Sequence, residues 1–131
     1  MKIYALDHVN IKTSNLSAMV AYYRDVLGFR LGERPSFKFD GAWLYCKDQA
    51  VIHLVKVRNQ PNNLTPQIDH FAFRCEGLEE LLLDLCKFNC TYRVRSLPER
   101  QMWQVFTTDP DKNNLELQFS SAETVDKKLL S

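Results

Sequence analysis

Apolar and polar residues alternate from Tyr4 to Lys12, and apolar positions then recur at helical spacing from Leu16 to Leu27. Ser14 and Asn15 can cap the start of that helix, and Gly28 can cap its end. Three strand-like runs follow, Phe29 to Arg34, Ala42 to Cys46 and Ala50 to Val57, the last two joined by the turn-forming Lys47-Asp48-Gln49. The order is βαβββ. Arg58 to Gln67, with two prolines, three asparagines and no periodicity, reads as a linker. Beyond it the order repeats: a strand over Ile68 to Arg74, a helix over Leu78 to Phe88, and strands over Thr91 to Arg95, Trp103 to Thr107 and Asn114 to Phe119.

The halves correspond in detail. His8 and His70 lie 62 positions apart, and Leu16 answers Leu78 at the same offset. The expected organisation is module one over residues 1–57, a linker over 58–67, module two over 68–119 and a polar tail over 120–131 that forms a short helix or frays. Neither half can bury both a helix and a sheet face by itself. The fold class expected is therefore α+β, two tandem βαβββ modules whose curved mixed sheets enclose a shared cavity.

Composition narrows the function. A chain of 131 residues, 45% hydrophobic, can build one core without disulfide or zinc staples. Seventeen basic against 16 acidic side chains leave a net charge of +1, which argues against a surface that tracks nucleic-acid phosphates. No apolar run approaches the roughly 20 residues of a bilayer span, and Met1 to Asn10 lacks a charged leader followed by an apolar stretch, so a soluble cytoplasmic protein is expected. Cys46, Cys75, Cys86 and Cys90 show no CxxC spacing and read as reduced thiols.

The three histidines are placed symmetrically. His8 falls on the first strand of module one, His53 on its last, and His70 on the first strand of module two, whose last strand carries Glu116 at the place of His53. His8 to His53 spans 45 residues and His70 to Glu116 spans 46. Strand alternation sends the apolar neighbours of each group under the helix and the group itself to the opposite, concave face. A single histidine or glutamate in a strand is commonly a structural or wetted residue. Four at equivalent places point instead to a metal-centred cavity with His8, His53, His70 and Glu116 as ligands. Imidazole and carboxylate without thiolate suit Fe2+, Ni2+, Zn2+ or Mn2+. If His53 does not ligate, two histidines and one carboxylate remain.

Trp43, Tyr45, Trp103 and Phe106 lie on strands that could line the cavity and stack on a planar substrate, or else serve as ordinary strand aromatics. Arg93, Arg95 and Arg100 could hold an anionic tail or form a solvated basic edge.

LDHVNI (Leu6 to Ile11), AYYRDVLGF (Ala21 to Phe29), AVIHL (Ala50 to Leu54), IDHFAF (Ile68 to Phe73) and DPDKNNLEL (Asp109 to Leu117), in this order, resemble the vicinal oxygen chelate superfamily. That group contains glyoxalase I, fosfomycin- and bleomycin-resistance proteins, methylmalonyl-CoA epimerase and extradiol dioxygenases. The resemblance runs from Ile3 to Phe119. It implies paired βαβββ modules around a metal, with His8, His70 and Glu116 matching ligands common to metal-dependent members.

At the place of His53, glyoxalase I-like members have a ligating glutamate, and ring-cleaving dioxygenases have a histidine that acts as acid or base beside iron. His53 thus favours an Fe(II) extradiol-dioxygenase-like protein acting on a small substrate with vicinal oxygens, Fe2+ being the first-choice ion. The alternatives are a glyoxalase I-like lyase or isomerase that stabilises an enediolate, and a bleomycin-resistance-like binding protein.

Two departures stand against the pattern. Phe106 occupies the place of a tyrosine typical of the dioxygenase branch, and Lys112 replaces the glycine of a DPDG turn, with Asn113 and Asn114 available to rescue the bend. The resemblance also implies a homodimer whose sites each take His8 and His53 from one subunit and His70 and Glu116 from the other.

Overall fold

The computed structural model describes residues 1, 5–62, 68 and 70–130. The expected strand start at Tyr4, the start of the resemblance at Ile3, linker positions 63–67, Asp69 of the IDHFAF run and the last residue of the tail lie outside the described residues. The chain divides into two compact units, 1–63 and 64–131.

The first unit contains β1 (Val9–Thr13), α1 (Leu16–Ala21), β2 (Arg30–Gly32), β3 (Gly41–Cys46) and β4 (Gln49–Lys56). Its sheet has the order β1-β4-β3-β2, with β1 parallel to β4 and the other pairs antiparallel. The predicted single helix to Leu27 is instead α1 followed by a wider π-helical turn over Tyr22–Val26. Tyr22, Tyr23 and Val26 of the wider turn are buried, as are Met19 of α1 and Ala42, Leu44, Ile52 and Leu54 of the sheet. Gly28 ends it at φ 71°, where a Cβ would be strained, and the N–H of Phe29 reaches back to the carbonyl of Tyr23 at 2.8 Å.

The second unit contains β5 (His70–Arg74), α2 (Leu78–Lys87), β6 (Tyr92–Leu97), β7 (Met102–Thr108) and β8 (Asn114–Ser120), and its sheet order β5-β8-β7-β6 matches that of the first. Leu78, Leu82 and Leu85 of α2 are fully buried, as are Val105 and Leu115. The tail is tied down: the carboxylate of Glu123 accepts the N–H groups of Gly77 and Leu78 at 2.9 and 2.7 Å, capping a helix whose N-cap glycine has no side chain to do so. It ends in a short 3-10 turn over Lys127–Leu130.

Lys112 itself takes the glycine-like conformation, φ 67°, so the bend is not handed to Asn113 or Asn114. The buried carboxylate of Asp109 offsets that strain by accepting the N–H groups of Asp111 and Asn113 and the amide of Asn113.

The expectation of curved sheets enclosing a metal-centred cavity is corrected by this topology. Among the described residues the first and last strands of each order, β1 and β2 or β5 and β6, pair on one side only, so neither sheet curls onto itself or closes. The physical reason is the pairing itself: each sheet ends on edge strands with a single neighbour, β2 of three residues in the first unit and β6 of six in the second. The groove of about 550 Å³ in this unit lies between α1 and the β2–β3 edge, lined by Leu16, Val20, Arg24, Leu31 and Arg34 among others, and no histidine reaches it. Among the described residues no helix is long and apolar enough to cross a membrane.

Candidate functional site

The four candidate ligands occur as two pairs, one in each unit, and each pair is set by strand register. In the first unit His8 immediately precedes β1, rather than lying within it, and His53 sits on β4 between buried Ile52 and Leu54. Parallel pairing of β1 with β4 puts Asn10 opposite His53, and the imidazoles of His8 and His53 stack at 3.9 Å with a 19° angle between planes. On its other side His53 meets the indole of Trp43, its partner across β3, at 4.0 Å and 5°. His53 is thus the middle of a three-ring stack. Burial there, reinforced by the adjacent His8, lowers its pKa below the ordinary 6.5 and favours the neutral ring.

His8 is oriented by a residue that sequence reasoning passed over. Its Nδ1 lies 2.7 Å from a carboxylate oxygen of Asp7, so Nδ1–H donates and Nε2 is left as the basic nitrogen. The signal was available in the DH dipeptide.

In the second unit His70 opens β5, and Glu116 lies on β8 with its side chain only 7% exposed although Leu115 and Leu117 face the other way. One carboxylate oxygen, Oε2, lies 3.2 Å from Nε2 of His70. The other, Oε1, accepts the amides of Gln104 at 2.5 Å and Gln118 at 2.7 Å. These glutamines were not anticipated. Gln118 follows Glu116 by two residues on the same face, whereas Gln104 depends on the β7–β8 register, which pairs Gln104 with Gln118 and Phe106 with Glu116.

The aromatic candidates separate. Trp43 stacks on His53. Tyr45 lies under the guanidinium of Arg30 and donates its hydroxyl to the carbonyl of Glu33. Phe106 shares the face of Glu116, with Arg93 over its ring at 4.8 Å. Trp103 has the parity of buried Val105 and Thr107 and pairs with buried Phe119, which places it on the opposite face. Arg93 and Arg95 project from the edge strand β6 on the Glu116 face, and Arg100 is on a 3-10 turn away from it in sequence.

Among the described residues, no three His, Cys, Asp or Glu side chains gather as a ready-made cation site. The pairs nevertheless differ in how they suit an ion. Two ligands at about 2.1 Å on adjacent corners of a coordination shell lie roughly 3 Å apart, close to the His70–Glu116 spacing. An imidazole ligates along its ring plane, and planes separated by 3.9 Å and inclined by 19° meet only on the order of 10 Å away, beyond the ~2.1 Å reach of a metal–nitrogen bond. Hence His8 and His53 as stacked cannot both hold one ion, whereas the His70–Glu116 pair of the second unit has a spacing that suits two ligands of one ion.

Residues 5–117 match the model of the Glyoxalase/Bleomycin resistance protein/Dioxygenase superfamily, and the chain belongs to that family. It is 28% identical over 120 residues to a metapyrocatechase from Geobacillus stearothermophilus, matching 86% of this chain but spanning only 36% of that protein's length. Among solved structures it is similar to a glyoxylase/bleomycin resistance protein/dioxygenase domain from Frankia sp. EAN1pec, with TM-score 0.74, 19% identity and coverage of 91% of this chain and 99% of that one. A glyoxalase family protein from Bacillus anthracis is similar with TM-score 0.73, 22% identity and coverage of 92% and 98%. Both likenesses concern the fold.

Proposed function

We propose that the chain is a divalent-metal-dependent enzyme of this superfamily, an Fe(II) extradiol-dioxygenase-like protein acting on a small substrate with two adjacent oxygens. His8, His70 and Glu116 are its ligands and His53 its acid–base residue. The observation that carries this reading is the near-parallel stack of His53 between His8 and Trp43, which removes His53 from the ligand set and keeps it beside a ligand. The likeness to a metapyrocatechase, a protein named for a substrate with adjacent oxygens, supports the same branch.

When bound, the ion supplies open positions for two substrate oxygens and polarises them. The chain does the rest. Asp7 fixes the tautomer of His8, so that Nε2 faces outward as a donor. Trp43 and His8 hold the plane of His53, and the lowered basicity of His53 leaves it neutral and able to accept a substrate hydroxyl proton near neutral pH. Phe106 supplies no hydroxyl at its position, so acid–base work rests on His53 alone in this scheme. A homodimer that shares its sites between subunits, in the cytoplasm, belongs to the same proposal.

The test is anaerobic reconstitution with Fe(II), followed by catechols and O2. Oxygen uptake with a ring-opened product is expected. No uptake across a catechol panel by iron-loaded protein would remove the dioxygenase branch.

A further inference from the structure

Glu116 has two carboxylate oxygens, and its surroundings treat them differently. A carboxylate oxygen offers about two lone-pair directions. Those of Oε1 are taken by the amide N–H donors of Gln104 at 2.5 Å and Gln118 at 2.7 Å. Oε2 is turned toward Nε2 of His70 at 3.2 Å. The glutamines are cross-strand partners on β7 and β8, and Gln118 is also two residues from Glu116 along its own strand, so both amides reach the same oxygen from a rigid hairpin rather than from a loop.

The orientation of Gln104 carries additional information. Its own carbonyl oxygen is buried and has no hydrogen-bond partner among the described residues. Leaving a buried acceptor unpaired carries a desolvation cost that no bond repays. Rotating the amide would set that oxygen against Oε1 and exchange a charge-assisted hydrogen bond for repulsion between two acceptors. The amide is therefore held by Glu116 at the expense of its own carbonyl.

We infer that Gln104 and Gln118 are positioning residues that make Glu116 a one-oxygen ligand, presenting Oε2 to the cation while preventing Oε1 from chelating it. This rests on the metal reading above and deepens it. A chelating carboxylate takes two coordination positions and a one-oxygen carboxylate takes one. The clamp thus preserves a position for the second oxygen of a substrate that binds through two, such as a catechol, an α-hydroxy acid or a hydroxamate.

The experiment compares Co(II)-loaded parent protein with Gln104→Met, Gln118→Met and the double variant by infrared difference spectroscopy, with Glu116→Gln as the blank that assigns the carboxylate bands. Separation between the antisymmetric and symmetric stretches is wide for one-oxygen ligation and narrow for chelation. The parent should show the wide separation, the double variant the narrow one, and Co(II) affinity should fall roughly 10- to 100-fold in the double variant. Should the methionine variants misfold, Gln118→Asn withdraws one donor while retaining an amide. In the metal-free parent, the side-chain N–H resonances of Gln104 and Gln118 should shift on Glu116→Gln. Co(II) uptake with the same band separation in parent and variants would overturn the clamp alone, and absence of Co(II) uptake by the parent would overturn both the clamp and the metal reading.

Discussion

In the first module the residue across the hairpin from His53 is Trp43, and the two rings stack; in the second, the residue across from Glu116 is Phe106, which carries Arg93 on its ring and leaves the carboxylate to two amides. The backbone slots are equivalent: Asn10 faces His53 across the parallel β1–β4 pair as Ala72 faces Glu116 across β5–β8. The chemistry in the slots is not. The imidazole stack holds the ring plane of His53 between His8 and Trp43 and leaves its nitrogens at the ring edge. A buried carboxylate with one oxygen immobilised and the other beside an imidazole suits metal ligation. In the proposed function these two slots of a duplicated frame specialise apart, one holding the ion and the other moving a proton.

The sharpest way to break this comparison is to substitute the two slots in parallel. Glu116→Ala should weaken Fe(II) or Co(II) binding on the order of 100-fold or more, because it removes a ligand. His53→Gln should leave metal affinity within a few-fold while lowering kcat by roughly 10²–10⁴. Calorimetric titration and oxygen-uptake kinetics read the two effects, and equal losses of metal affinity in both variants would erase the distinction.

A second prediction concerns assembly. Inactive His8→Ala and His70→Ala proteins, unfolded together and refolded as a mixture, should recover about a quarter of parental activity per chain if sites are shared in a dimer, since half the dimers would be mixed and each would carry one intact site. No recovery would assign all ligands of a site to one chain.

The smallest effect is on pH-dependent stability. With its folded pKa lowered, His53 takes up a proton more readily in the unfolded chain, so stability should fall as pH drops from the ordinary 6.5 toward the folded value and be unaffected by this group well above it. Urea midpoints between pH 5 and about 7 should decline less in His53→Gln than in the parent.

Period-two alternation and the offset between halves place His53, His70 and Glu116 on strands, because those signals are local in the chain, whereas His8, expected on the first strand, lies just before it. Alternation also assigns Trp103 and Phe106, three residues apart on one strand, to opposite faces, so grouping them as one substrate surface fails on the same rule that placed the histidines. What the chain alone could not reveal depends on pairing between strands. The His8–His53 stack requires β1 to lie beside β4, and the hold of Gln104 on Glu116 requires the β7–β8 register. That each sheet stays open is likewise a matter of strand pairing, and the strand-like run from Phe29 to Arg34 conceals that β2 is only Arg30–Gly32.

Metal content of anaerobically purified protein, measured for the parent and for His70→Ala, tests the account most directly. It predicts one divalent ion per chain in the parent and loss of tight binding in the variant. A parent that takes up no divalent ion, or a variant that keeps it with unchanged affinity, would contradict the account.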